Sequence, residues 1–245
     1  MTWQATSATA RRVLWQLGND RRTIALLLVV PVGLLALLRY VFDARIAVFQ
    51  HIGAPMCGLY PFILMFLVTS IAMLRERTSG TLERLMSLPI AKADLLGGYG
   101  LAFGLVAIVQ ASIVCGVGFV LLGLNAPHGA LLVGVLAIGN ALLGTALGLF
   151  VSAFARTEFQ AVQFMPAIVF PQLLLCGLFV RREDMAAFLD WISWAFPLTY
   201  AFDALQRATS PGSLGGRVLL DIVVVVAATV ASLGFGALTL RRRTP

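Results

Sequence analysis

The chain has 245 residues, 60% of them hydrophobic and only 12% charged, with a net charge of +7. Soluble domains carry about 25% charged residues, so this composition excludes a water-soluble enzyme or binding module and indicates a membrane protein. Nucleic acid is excluded as a partner too, because the basic residues sit at the ends of apolar runs rather than in a stripe along one face.

Residues 1–22 carry Arg11, Arg12, Arg21 and Arg22, with Ala10, Val13, Leu14 and Leu17 at helical spacing and Trp3 and Trp15 beside them. This pattern predicts an amphipathic helix lying in a headgroup layer; a solvated basic tail is the plainer alternative. No cleavable signal peptide is expected, since the apolar run that follows has no small-residue exit site.

Apolar runs of the length a bilayer demands, about 20 residues, occur at 23–42, 55–74, 95–124, 130–155, 159–180 and 218–240. The expected fold is therefore all-α and polytopic, one transmembrane domain over 1–245 with six spans. The runs are nearly free of charge: Arg39 lies near one end of the first and Asp221 just inside the last. A carrier driven by protons or sodium would be expected to keep an ionisable group near the midplane. A secondary carrier is thereby disfavoured, and the energy source is expected outside the membrane. Of the basic residues, Arg39, Arg45, Arg181, Arg182, Arg207 and Arg217 fall on one side of this layout and all the others on the side of the two termini. The bias predicts cytoplasmic N- and C-termini.

Between the second and third runs, residues 75–94 read "RERTSGTLERLMSLPIAKAD". Gly80 can take a turn conformation closed to other residues, Thr81 is a suitable N-cap, and Pro89 ends the unit. Leu82, Leu85 and Met86 then share one face, with Glu83 and Arg84 elsewhere. A helix of one or two turns is unstable alone. It either docks on a protein partner or lies against headgroups and neighbouring spans.

The fifth run contains Pro166 and Pro171 among Gln163, Phe164, Phe170 and Gln172. Prolines bend the helix and free backbone carbonyls. This run reads either as a wall for a greasy substrate or as a packed helix. Gln110 and Asn140 read as helix–helix hydrogen bonders, and the GxxxG patterns at 100–104 and 144–148 as close packing within the bundle. Residues 181–216 are expected outside or re-entrant. Met185, Phe188, Leu189 and Ile192 recur at helical spacing, Pro197 interrupts, and a second short helix follows over 200–208.

No catalytic or metal site is expected. His51 and His128 are the only histidines and have no second ligand nearby. Cys57, Cys115 and Cys176 read as buried small hydrophobes. The only lysine, Lys92, follows alanine, so the chain has no P-loop of its own.

The stretch "RERTSGTLERLMSLPIAKADLL" resembles the segment that membrane subunits of the ABC-2 type exporter family carry after their second span, with Glu76, Gly80, Thr81, Glu83, Leu85 and Pro89 matching in order. "FPLTYAFDALQRA" (196–208) is similar to the family's Pro-x-Thr-Tyr segment. Ala91 departs from the pattern, where a polar helix cap is common. The resemblance implies a permease subunit, not itself an enzyme, in a bacterial plasma membrane. It implies a coupling helix, built from Glu76 and residues 80–86, seated in a separate ATPase subunit that holds ATP and magnesium. It also implies pairing with a second permease copy or paralogue. The cargo implied is an amphipathic or hydrophobic small molecule, drug or lipid, with a polysaccharide or glycolipid as the alternative. Gln163, Phe164, Phe170 and Gln172 are the candidate substrate pathway.

Overall fold

The computed structural model describes residues 3–86, 91–210, 212 and 214–239, with backbone alone at 82, 83, 86, 92 and 93. Among these residues every regular element is helical. Helix α1 spans Trp3–Asn19, α2 Arg21–Val41, α3 Ile46–Thr78, α4 Thr81–Met86, α5 Lys92–Val120 and α6 Ala130–Val151. Then follow α7 (Glu158–Phe164), α8 (Phe170–Leu175), α9 (Ala187–Ser193), α10 (Pro197–Thr209) and α11 (Gly215–Thr239).

Five of these, α2, α3, α5, α6 and α11, are long and apolar enough to cross a membrane. The predicted run at 159–180 is built differently. Its helical path consists of α7, a π-helical turn at Met165–Val169 and α8, and ends at Leu175. Pro166 and Pro171 each lack the N–H that an α-helix needs; Pro166 lies within the wider π turn and Pro171 just after it, and such turns are often found at functional sites.

The second span is longer than the sequence suggests. Helix α3 has 33 residues and carries Pro55 and Pro61 in its interior rather than beginning at Pro55. At 1.5 Å per residue it is about 50 Å long, well beyond a hydrocarbon layer of about 30 Å. The excess carries Arg75, Glu76 and Arg77 past the apolar zone. Prolines survive inside helices where surrounding structure satisfies the backbone. Helix α2 shows how: Pro31 leaves the Leu27 carbonyl without its usual donor, and Gln110 of α5 donates its Nε2 hydrogen to that oxygen at 2.8 Å.

Helices α3 and α6 form the centre. Gly144 and Gly148 let them touch: a Cβ on either would collide with the backbone of Phe62 or Phe66. Phe49, Phe62, Met65, Phe66 and Leu143 complete a sealed core. The 100–104 glycines pack more loosely, meeting only leucine side chains. Asn140 is fully buried, but neither of its polar atoms has a hydrogen-bond partner, so the expected interhelical bond is not formed.

Helix α1 lies on α5. Gly98 admits Thr6 and Thr9, and a Cβ there would lie 2.5 Å from the Thr9 Cβ. Ala10 and Val13 are buried, Leu14 and Leu17 pack against the core, and Trp3 and Trp15 remain exposed. The amphipathic pattern thus has its apolar face on the bundle and its tryptophans outward.

Candidate functional site

The candidate site begins where α3 runs out of apolar sequence. The Ser79 N–H donates to the Arg75 carbonyl at 2.9 Å, closing α3, and Gly80 then turns the chain at a φ of 72°. That left-handed conformation is open to glycine at little cost. The Arg84 N–H donates to the Gly80 carbonyl at 3.1 Å, so Gly80 occupies the cap position and Thr81 is the first helical residue rather than the cap. The hydroxyls of Ser79 and Thr81 lie 2.9 Å apart, bracing the elbow.

Helix α4 has six residues. Arg84 is exposed, whereas Leu85 is half-buried and packs against the bundle core. The side chains of Leu82, Glu83 and Met86, together with Pro89, lie outside the described residues.

Glu76 is engaged within the chain. Its carboxylate accepts hydrogen bonds from both terminal nitrogens of Arg12 on α1, at 3.2–3.4 Å. Arg12 also donates to the hydroxyl of Tyr99 on α5, a residue only 1% exposed. Three helices therefore meet at one guanidinium, within one turn of the elbow. A second pair, Arg75 to Glu158 at 2.7 and 3.0 Å, joins the end of α3 to the start of α7. The sequence grouped Glu76 with the coupling helix but did not connect it to Arg12, because nothing local says that α1 returns to this point. The only available signal was a cation on a helix otherwise suited to bury its face.

The candidate pathway residues divide by face. Gln163 and Phe170 are exposed, on a stripe with Phe159, Val162, Pro166, Ala167 and Leu174. Phe164 is half-buried against the core, and Gln172 is 3% exposed with its Nε2 donating to the Ile168 carbonyl at 3.0 Å. The structure thus brings Gln163 and Phe170 to one open face and turns Phe164 and Gln172 inward.

At the opposite end of the bundle lies a charge cluster that sequence reading did not assemble. Arg182 pairs with Asp203 on α10, and Arg207 lies 3.8 Å from Asp203 and 3.6 Å from Asp221 on α11. Arg182 and Arg217 also approach the ring of Trp194, at 4.3 and 5.2 Å from its centroid. The two histidines serve neighbouring contacts: His51 with Gln206, and His128 with the Ser210 carbonyl. Among the described residues no cluster of side chains suits a metal ion.

Comparison with known proteins matches residues 4–209 to the family described as "ABC-2 type transporter". The chain is 26% identical over 211 residues to the Escherichia coli (strain K12) "Probable multidrug ABC transporter permease YbhS", covering 84% of this chain and 55% of that protein. It is 30% identical over 147 residues to the same organism's "Probable multidrug ABC transporter permease YbhR", covering 58% and 39%. "ABC transporter G family member 20" of Dictyostelium discoideum is 26% identical over 141 residues, or 57% of this chain and 19% of that protein. The chain thus spans about half the length, or less, of these relatives.

Proposed function

Because the chain belongs to the ABC-2 type transporter family, we propose that it is the membrane permease subunit of an ATP-driven exporter, moving an amphipathic or hydrophobic small molecule across a bacterial plasma membrane. The α7–π–α8 segment is the fifth of six spans, and both termini and the elbow face the cytoplasm. Residues 181–216 form the re-entrant outer segment. A second permease copy or paralogue completes the pore, and a separate ATPase subunit holds ATP and magnesium.

The observation that carries this reading is the elbow: a six-residue helix on a glycine hinge at the end of a 33-residue helix. Closure of the ATPases on ATP displaces α4, and the continuous rod of α3 passes that displacement into the bundle core. Such a contact drives transport only if its free energy differs between the two access states. Exposed Arg84 meets the partner, while half-buried Leu85 transmits the push to the core. Glu76 sets the angle of the elbow through Arg12.

The cargo route follows the exposed stripe of the fifth span. Gln163 supports this reading, because an amide facing hydrocarbon is unfavourable unless water, cargo or a second permease covers it.

Leu85→Asp should abolish co-purification of the ATPase subunit. Since Leu85 also packs on the bundle, Arg84→Glu provides a variant that leaves the core alone, and it should weaken the same association. Retention of the ATPase and of normal coupled hydrolysis by both variants would overturn the placement of the interface.

A further inference from the structure

Between α1, α2, α3 and α5 lies a cavity of about 540 Å³, at the end of the bundle that carries the elbow. That volume is within the range of small-ligand sites, about 300–1,000 Å³. Its walls are aliphatic, with Leu27 and Val30 of α2 facing Leu67, Val68 and Ile71 of α3. Leu26, 61% exposed, also lines it, so the cavity opens sideways onto the surface that meets lipid. An acyl chain can enter without leaving the hydrocarbon layer.

The mouth is polar and asymmetric in charge. Glu76 and Arg75 reach it, but each is already paired, with Arg12 and Glu158 respectively. Asp20, between α1 and α2, is different. It accepts hydrogen bonds from the Thr23 N–H at 3.2 Å and the Thr23 hydroxyl at 2.6 Å, both neutral donors. Among the described residues it makes no salt bridge; it caps the N-terminus of α2 and feels the charge of Arg75 across the same cavity, and its carboxylate still faces an occupant. The bonds from the Thr23 hydroxyl and backbone hold its carboxyl below the usual carboxylate range, which keeps it ionised. Arg21 and Arg22 follow it in the chain, exposed and outside the cavity lining. Anion beside cations at headgroup depth complements a zwitterion, with an ammonium for Asp20 and a phosphate for the arginines.

We propose that this cavity binds one zwitterionic aminophospholipid, with an acyl chain between α2 and α3 and its ammonium group on Asp20. Assignment to the inner leaflet rests on the orientation given under Proposed function; the site itself does not. Because Ser79 and Thr81 of the elbow also line the cavity, the occupant wedges the hinge from the membrane side.

The test uses the purified full chain without ATPase or cargo, so its outcome is independent of the transport reading. The protein is equilibrated with equal amounts of phosphatidylethanolamine and phosphatidylglycerol of identical chains, and retained lipid is counted by native mass spectrometry. Wild-type protein should retain phosphatidylethanolamine in excess. Asp20→Asn should reduce that excess roughly threefold, the scale of an exposed ion pair, while preserving the helix because asparagine caps as well as aspartate. Equal retention of both lipids, an excess of phosphatidylglycerol, or an unchanged preference in the variant would overturn the headgroup assignment. A phosphatidylethanolamine with a photoreactive chain should label peptides containing 26–30 and 64–71. Labelling confined to other segments would overturn the site.

Discussion

The two ends of the bundle are both tied by arginine–carboxylate pairs, but in opposite ways. At the elbow end, Arg75 and Glu158 are 61% and 55% exposed at their side chains, while Arg12 and Glu76 are 28% and 13% exposed. At the far end, Asp203 and Asp221 are 9% and 1% exposed and share Arg182 and Arg207 between them. Exposed pairs contribute about 0–1 kcal/mol, whereas removing one partner of a buried pair costs about 3–5 kcal/mol. The contrast teaches where motion is cheap. At the elbow end the outer pair, Arg75 with Glu158, can be exchanged with water, whereas at the far end both Asp203 and Asp221 are shielded and Arg207 links α10 to α11.

The strongest way to break this contrast is Arg182→Ala, which removes the closest partner of buried Asp203 and leaves it Arg207 alone, at 3.8 Å. It should destabilise the purified protein by about 3–5 kcal/mol, read as a lower thermal midpoint in detergent. A midpoint unchanged from wild type would mean that the far end is not pinned. Next comes Arg12→Ala, which removes the hydrogen bonds to Glu76 and Tyr99 together. A loss of about 1.5–3 kcal/mol is expected from charge-assisted bonds. In the proposed exporter, coupled ATP hydrolysis should fall further than stability does. Arg12→Lys should not restore it, since a lysine cannot present the planar fork. The smallest effect belongs to Arg75→Ala, at most about 1 kcal/mol and reduced by salt. If Arg75→Ala costs as much as Arg182→Ala, the distinction between the two ends fails.

Much of this architecture was legible beforehand. Five of the six apolar runs marked helices long enough to cross a membrane, because about 20 apolar residues are needed for that regardless of neighbours. The elbow was legible from Gly80 and the short pattern after it, and the break in the fifth run from Pro166 and Pro171. The far reach of α3 was not legible, because Pro55 resembles a helix start until the surrounding helices are seen to close over it. The bond of Glu76 to Arg12 was not legible either, because the two lie 64 positions apart. The split of Gln163 and Phe170 from Phe164 and Gln172 was likewise hidden, since a π turn shifts which residues share a face.

Local chemistry thus settled where the long apolar helices lie and where the chain must turn. Those properties depend on neighbours within one or two helical turns. The folded bundle settled the rest: that Gln110 serves the carbonyl freed by Pro31, that Arg12 joins three helices beside the elbow, and that Asp203 and Asp221 share arginines. Each of these requires two distant faces to meet, and the choice among faces is made by close packing at Gly98, Gly144 and Gly148 rather than by any residue's own preference.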